Sequence, residues 1–122
     1  MNHIADQEVL PNGGVRWILT SDERQHIATL LDVQESTIAH IKGNIMNVAR
    51  MTCAKCQKRS GLDDMIHNAV GQGIHNKEFM VHVLVNGPKK SSPEHPLDCS
   101  RCSERFEKSC TWHNDEDCGS WW

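Results

Sequence analysis

The residues best suited to chemistry are sulfur and imidazole donors. The 122-residue chain holds 6 Cys and 8 His. Four of the cysteines form two C-x-x-C pairs, Cys53-Ala54-Lys55-Cys56 and Cys99-Ser100-Arg101-Cys102. A C-x-x-C turn presents two thiolates from one tight knuckle, and zinc prefers four such ligands in a tetrahedron. The spacing therefore predicts one Zn2+ held by Cys53, Cys56, Cys99 and Cys102. Lys55, Lys58, Arg59 and Arg101 flank the pairs and offset thiolate charge. Nothing else in the chain suggests redox work, which favours zinc over an iron–sulfur cluster. Four protein ligands close the shell, so such a zinc stabilises the fold and activates no water. The metal does not by itself make this an enzyme.

Other donors are less ordered. Cys110, His113 and Cys118 flank Asp115, Glu116 and Asp117, and the alternatives there are a second metal, a disulfide or unrelated thiols. Met1-Asn2-His3 matches a copper- or nickel-binding terminus. His67, His75, His82 and His95 lie between the two cysteine pairs, and His is the side chain that titrates near neutrality. With His82 in Met80-Val81-His82-Val83, the stretch 53–113 resembles the zinc-containing HNH endonucleases. In that family a treble clef with two C-x-x-C pairs frames a strand carrying the catalytic His. The resemblance implies His82 as the catalytic residue and His113 as a late metal ligand, with His75 a further candidate. The paired His-His or Asp-His usual in that family is Val81-His82 here, and its Asn before the second pair is not evident.

The chain length suits one domain. Apolar residues make up 38% of the chain and aromatics 5%, with no Tyr. A core so thin needs a staple such as a metal, disulfides or a partner. The N-terminus lacks the basic start and apolar run of a secretory signal. No stretch approaches the roughly 20 apolar residues of a membrane span. A cytoplasmic or other intracellular location is expected, where thiols stay reduced and paired C-x-x-C motifs serve as ligands. The net charge of -3 runs against binding nucleic acid through phosphates alone.

The elements that must position these donors predict an α+β fold in a single zinc-stabilised domain. Residues 3–19 suggest a β-hairpin turning at Pro11-Asn12-Gly13-Gly14, with Val15, Trp17 and Leu19 on one apolar face. Residues 20–51 suggest a long amphipathic helix that opens on a Thr20-to-Glu23 capping box. Its stripe is Ile27, Leu31, Ile38, Ile41, Ile45 and Val48, interrupted at Gln34 and weakened by Gly43, so two shorter helices are the alternative. The stripe suits core packing or a homodimer seam. Residues 52–109 form the zinc region, as a zinc ribbon or treble-clef-like unit. It holds a short helix over Leu62–Val70, a strand over Phe79–Val85 and a helix from Asp98 through Phe106. Residues 110–122 form an acidic, Trp-rich tail with Trp112, Trp121 and Trp122.

The function these features favour is a small zinc-binding accessory or interaction module acting through protein–protein contacts. One alternative is a metal-dependent hydrolase or nuclease using His82 with neighbouring His and acidic residues. A second is a nucleic-acid-binding regulator using Lys55, Lys58, Arg59, Lys89, Lys90, Arg101 and Arg105.

Overall fold

The computed structural model describes residues 6–11, 13–86 and 94–113. Met1-Asn2-His3, Lys89, Lys90, the run from Asp115 to Asp117, Cys118, Trp121 and Trp122 lie outside the described residues. Among the described residues the architecture is α+β, with one three-stranded antiparallel sheet and three α-helices. Strands β1 (Gln7–Val9), β2 (Val15–Ile18) and β3 (Gly43–Met46) lie in the order β1-β2-β3. The helices are α1 (Ser21–Leu31), α2 (Leu62–Gly71) and α3 (Lys77–Asn86).

The hairpin pairs Gln7 with Trp17 and Val9 with Val15. Leu10 and Gly14 close its turn through a 2.8 Å backbone hydrogen bond. Val15, Trp17 and Leu19 face the core as their alternation requires, and the Trp17 indole donates to the Val48 carbonyl at 2.9 Å. Helix α1 starts on the capping box read from the sequence: Thr20 Oγ1 accepts from the Glu23 N–H and Glu23 Oε1 from the Thr20 N–H.

The long helix is a correction. α1 stops at Leu31, where Asp32 turns left-handed at φ 57° and its N–H returns to the last carbonyls. The apolar stripe had a gap there, from Leu31 to Ile38 across Gln34. A short 3-10 turn over Glu35–Ile38 follows, tied to α1 by the Arg24 guanidinium on the Ile38 and Ile41 carbonyls. Gly43 then opens β3 at φ 154°, and a Cβ there would sit 2.0 Å from the Trp17 carbonyl oxygen. The glycine is needed for close strand approach, and the helical cost assigned to it does not arise. Ile38, Ile41 and Ile45 are fully buried within the chain, so they form no dimer seam.

The strand over Phe79–Val85 is also corrected, since those residues lie in α3. Alternating Phe79, Val81, Val83 and Val85 mimics a strand, but the buried residues are Met80 and Leu84, one helical turn apart. The overlooked signal was Asn76, whose Oδ1 accepts from the Phe79 N–H at 2.7 Å and caps the helix. No helix forms from Asp98 through Phe106; Asp98 bridges Arg105 across a tight turn. Trp112 belongs to the core rather than to a tail, bridging Met46 on the outer edge of β3.

Candidate metal centre

The two C-x-x-C segments fold into the same local shape. In the first, the Cys53 N–H donates to the Lys58 carbonyl at 2.8 Å, and the Gln57 N–H to the Cys53 carbonyl at 2.9 Å. In the second, Cys99 donates to Glu104 at 2.8 Å and Ser103 to Cys99 at 2.9 Å. Each turn needs a left-handed residue just after its second cysteine: Gln57 at φ 70° and Ser103 at φ 69°. Cross-chain bridges flank both, Thr52 with Arg59 and Asp98 with Arg105.

The knuckles bring all four sulfurs within 4.8 Å of one another. Cys53 Sγ lies 3.4 Å from Cys102 Sγ, and Cys56 Sγ lies 3.6 Å from Cys99 Sγ. A disulfide needs about 2.05 Å, and all four are free thiols. A zinc tetrahedron with 2.3 Å bonds has edges of about 3.8 Å. The cluster is therefore close enough to hold one metal ion. It is the one group of three or more His, Cys, Asp or Glu so placed among the described residues.

Electrostatics agree with that chemistry. Backbone N–H groups of Cys56 and Lys55 point at the Cys53 sulfur and lower its pKa to about 7. Burial instead pushes the Cys99 thiol up to about 12. One thiolate is favoured by its turn, whereas four in contact require a cation.

Helix α2 carries both knuckles. Lys58 Nζ reaches Asp63 Oδ1 at 3.0 Å and Asp64 Oδ2 at 2.9 Å, and donates to the Arg59 carbonyl. Burial alone would lower the Lys58 pKa, but the two carboxylates more than reverse this and raise it. Burial and the Asp64 charge raise that of Asp63. Asp64 Oδ1 also accepts from the Ser100 N–H at 2.8 Å, and its Oδ2 accepts from the Gly61 N–H. One turn on, the Asn68 amide clasps Asp98, donating to its carbonyl at 2.8 Å and accepting from its N–H at 3.1 Å. Beside this lies a buried pair, Arg50 with Glu23 at 2.7 Å and 3.0 Å, whose guanidinium also meets the carbonyls of Asp6, Ile18 and Ser60.

Of the seven basic residues read as a nucleic-acid patch, three are paired with carboxylates of the chain. Lys58 is buried in the α2 pair, Arg59 pairs with Asp6, and Arg105 pairs with Asp98. The histidines do not converge. His75 stacks on Phe79 with centroids 4.3 Å apart, exposed His82 meets Asn86, and His95 pairs through its backbone with Cys110. His82 is thus on a helix, not on the strand that the HNH resemblance requires. His113 donates its N–H to the Ile45 carbonyl at the sheet edge. Cys110 is a free, buried thiol beside Met65, and burial raises its pKa to about 11.

Sequence reasoning missed His26, Asp63, Asp64, Asn68 and Arg50. The signal for Asp64 was two acidic residues in the first turn of α2. His26 gave none, because its partner Asp63 is 37 positions away.

Residues 5–122 match the model of a family described as a domain of unknown function, DUF8243. The chain belongs to that family. No curated protein and no solved structure matches it. Among the described residues, no helix is long and apolar enough to cross a membrane.

Proposed function

We propose that Cys53, Cys56, Cys99 and Cys102 hold one structural Zn2+ in a ribbon-like pair of knuckles, and that the protein is a zinc-stabilised interaction module. The observation that carries this is the matched turn geometry, which directs four free thiols to one point. The ribbon description is favoured over a treble clef because the second pair sits in a turn rather than at a helix start. With all four positions taken by sulfur, the metal offers no open site for substrate. Its work is to tie the segment around Cys53 to the segment around Cys99. A role through protein contacts is supported by exposed apolar side chains at Val9, Ile74 and Phe79.

Native mass spectrometry tests the metal. The expected mass is that of the chain plus one zinc, lost in Cys53→Ser together with cooperative melting. A metal-free wild type, or a Cys53→Ser variant with unchanged melting, overturns the reading. The same spectrum gives the oligomeric mass and so shows whether the first partner is a second copy.

A further inference from the structure

Each knuckle carries one buried sulfur and one that solvent reaches. Cys53 and Cys99 are buried, whereas Cys56 and Cys102 are half-buried. Two sulfur contacts cross between the knuckles. Cys53 Sγ meets Cys102 Sγ at 3.4 Å, and Cys56 Sγ meets Cys99 Sγ at 3.6 Å. Each contact therefore sets a reachable sulfur against a buried one on the opposite turn. The first pair needs to close by only about 1.4 Å to reach disulfide length. Cys110 differs on both counts: it is fully buried, and its sulfur meets that of Met65.

We propose that the four-cysteine cluster is a peroxide-sensitive switch, in which the disulfides Cys53–Cys102 and Cys56–Cys99 replace the metal as the tie between the knuckles. The switch rests on the four-thiolate zinc proposed above. A metal ligand of this kind is a thiolate, the form that an oxidant attacks, and access decides which sulfur meets it first. Cys56 and Cys102 are the two with access. The thiolate of Cys56 attacks one oxygen of hydrogen peroxide; an S–O bond forms, the O–O bond breaks and hydroxide leaves. The Cys99 thiolate then attacks the oxidised sulfur; the S–S bond forms, the S–O bond breaks and a second hydroxide leaves. Two thiolates have lost two electrons and one peroxide has gained them. The same step at Cys102, resolved by Cys53, uses a second peroxide. The four sulfurs then carry no anionic charge and release Zn2+.

The pairing decides what oxidation does to the fold. The cross-knuckle bonds join residues 49 and 43 positions apart, and long loops constrain the unfolded chain most. Bonds inside each C-x-x-C would close only a tight turn and leave the two segments untied. Oxidation across the knuckles thus frees the metal while the segments stay joined.

The test adds hydrogen peroxide to the full zinc-loaded chain, with Cys118→Ser beside the wild type to remove the cysteine outside the described residues. A chromogenic chelator reads zinc release, and peptide mapping without reductant reads sulfur pairing. The expected result is loss of all the bound zinc, with Cys53 linked to Cys102, Cys56 linked to Cys99, and Cys110 still a free thiol. The oxidised chain should melt cooperatively, and a thiol reductant with added zinc should restore the starting mass. Links within Cys53–Cys56 and Cys99–Cys102, or loss of cooperative melting, overturn the switch. The native mass before peroxide separates this failure from that of the metal. Zinc present and unmoved by peroxide overturns the switch alone, whereas a chain without zinc at the start overturns the metal site and the switch together.

Discussion

The two knuckles share a backbone and differ in what holds them. The first is anchored by charge: Lys58 enters the buried Asp63 and Asp64 pair, and Arg59 holds Asp6. The second is anchored by uncharged donors, the Asn68 amide clasping Asp98 and the Ser100 N–H on Asp64. Both anchors lead to one polar stripe on α2, at Asp64 and Asn68. A turn that presents thiolates can therefore be docked in two ways. Charge docks strongly but leaves a heavy cost if either partner is removed, whereas an amide docks more weakly and fails more gently.

Metal removal should separate the two most widely. Structural zinc in small domains is worth about 10–16 kcal/mol of apparent binding, so chelation should destabilise the whole fold. Hydrogen exchange should then quicken at Cys99 and Phe106 more than at Cys53 and Ser60, since the charged anchor outlasts the metal. Equal quickening breaks the comparison.

Next in size is Lys58→Met, which leaves two buried carboxylates without their cation. The expected loss is about 3–5 kcal/mol, read as a lower midpoint in urea. Asn68→Ala should cost less, about 1–3 kcal/mol, because it strands uncharged groups of Asp98. A larger loss from Asn68→Ala than from Lys58→Met would reverse the ranking of the anchors.

The smallest effect belongs to Asp6. Its hydrogen bond to the Arg59 guanidinium is the main cause holding its carboxyl below the ordinary 3.8. A lowered carboxyl contributes stability that is full above its unfolded pKa and is lost as pH falls through the folded one. Asp6→Asn should therefore flatten the acid limb of the stability profile below about pH 4, by less than about 1 kcal/mol for a partly exposed pair. An unchanged acid limb removes this contact from the first anchor.

Local signals were legible in the sequence and long-range ones were not. The Pro11-to-Gly14 turn, the Thr20 and Glu23 box, and the four cysteines each act within a few residues, and each appears in the structure. Leu62–Val70 also forms the helix its apolar face predicted. β3 was hidden because Ile38, Ile41 and Ile45 keep helical spacing while packing from a 3-10 turn, a loop and a strand. α3 was hidden because β-branched residues on alternate positions imitate a pleat, and one Asn cap decided otherwise. The ionic network was hidden for a different reason. Lys58 looks like a solvated charge until the first turn of α2 folds beside it, and Arg59 until Asp6 reaches it from 53 positions away.

The bridge between Met46 and Trp112 has a temporal consequence. The outer edge of β3 is covered by residues more than sixty positions later, with Asn47 bonded to Thr111 and His113 to Ile45. Until residue 113 has emerged from the ribosome, that edge has only its β2 side satisfied. Contacts of such long sequence separation form late and slowly. During synthesis the nascent hairpin and β3 offer an unfinished template to any passing strand, and the returning segment around Trp112 is what ends that exposure.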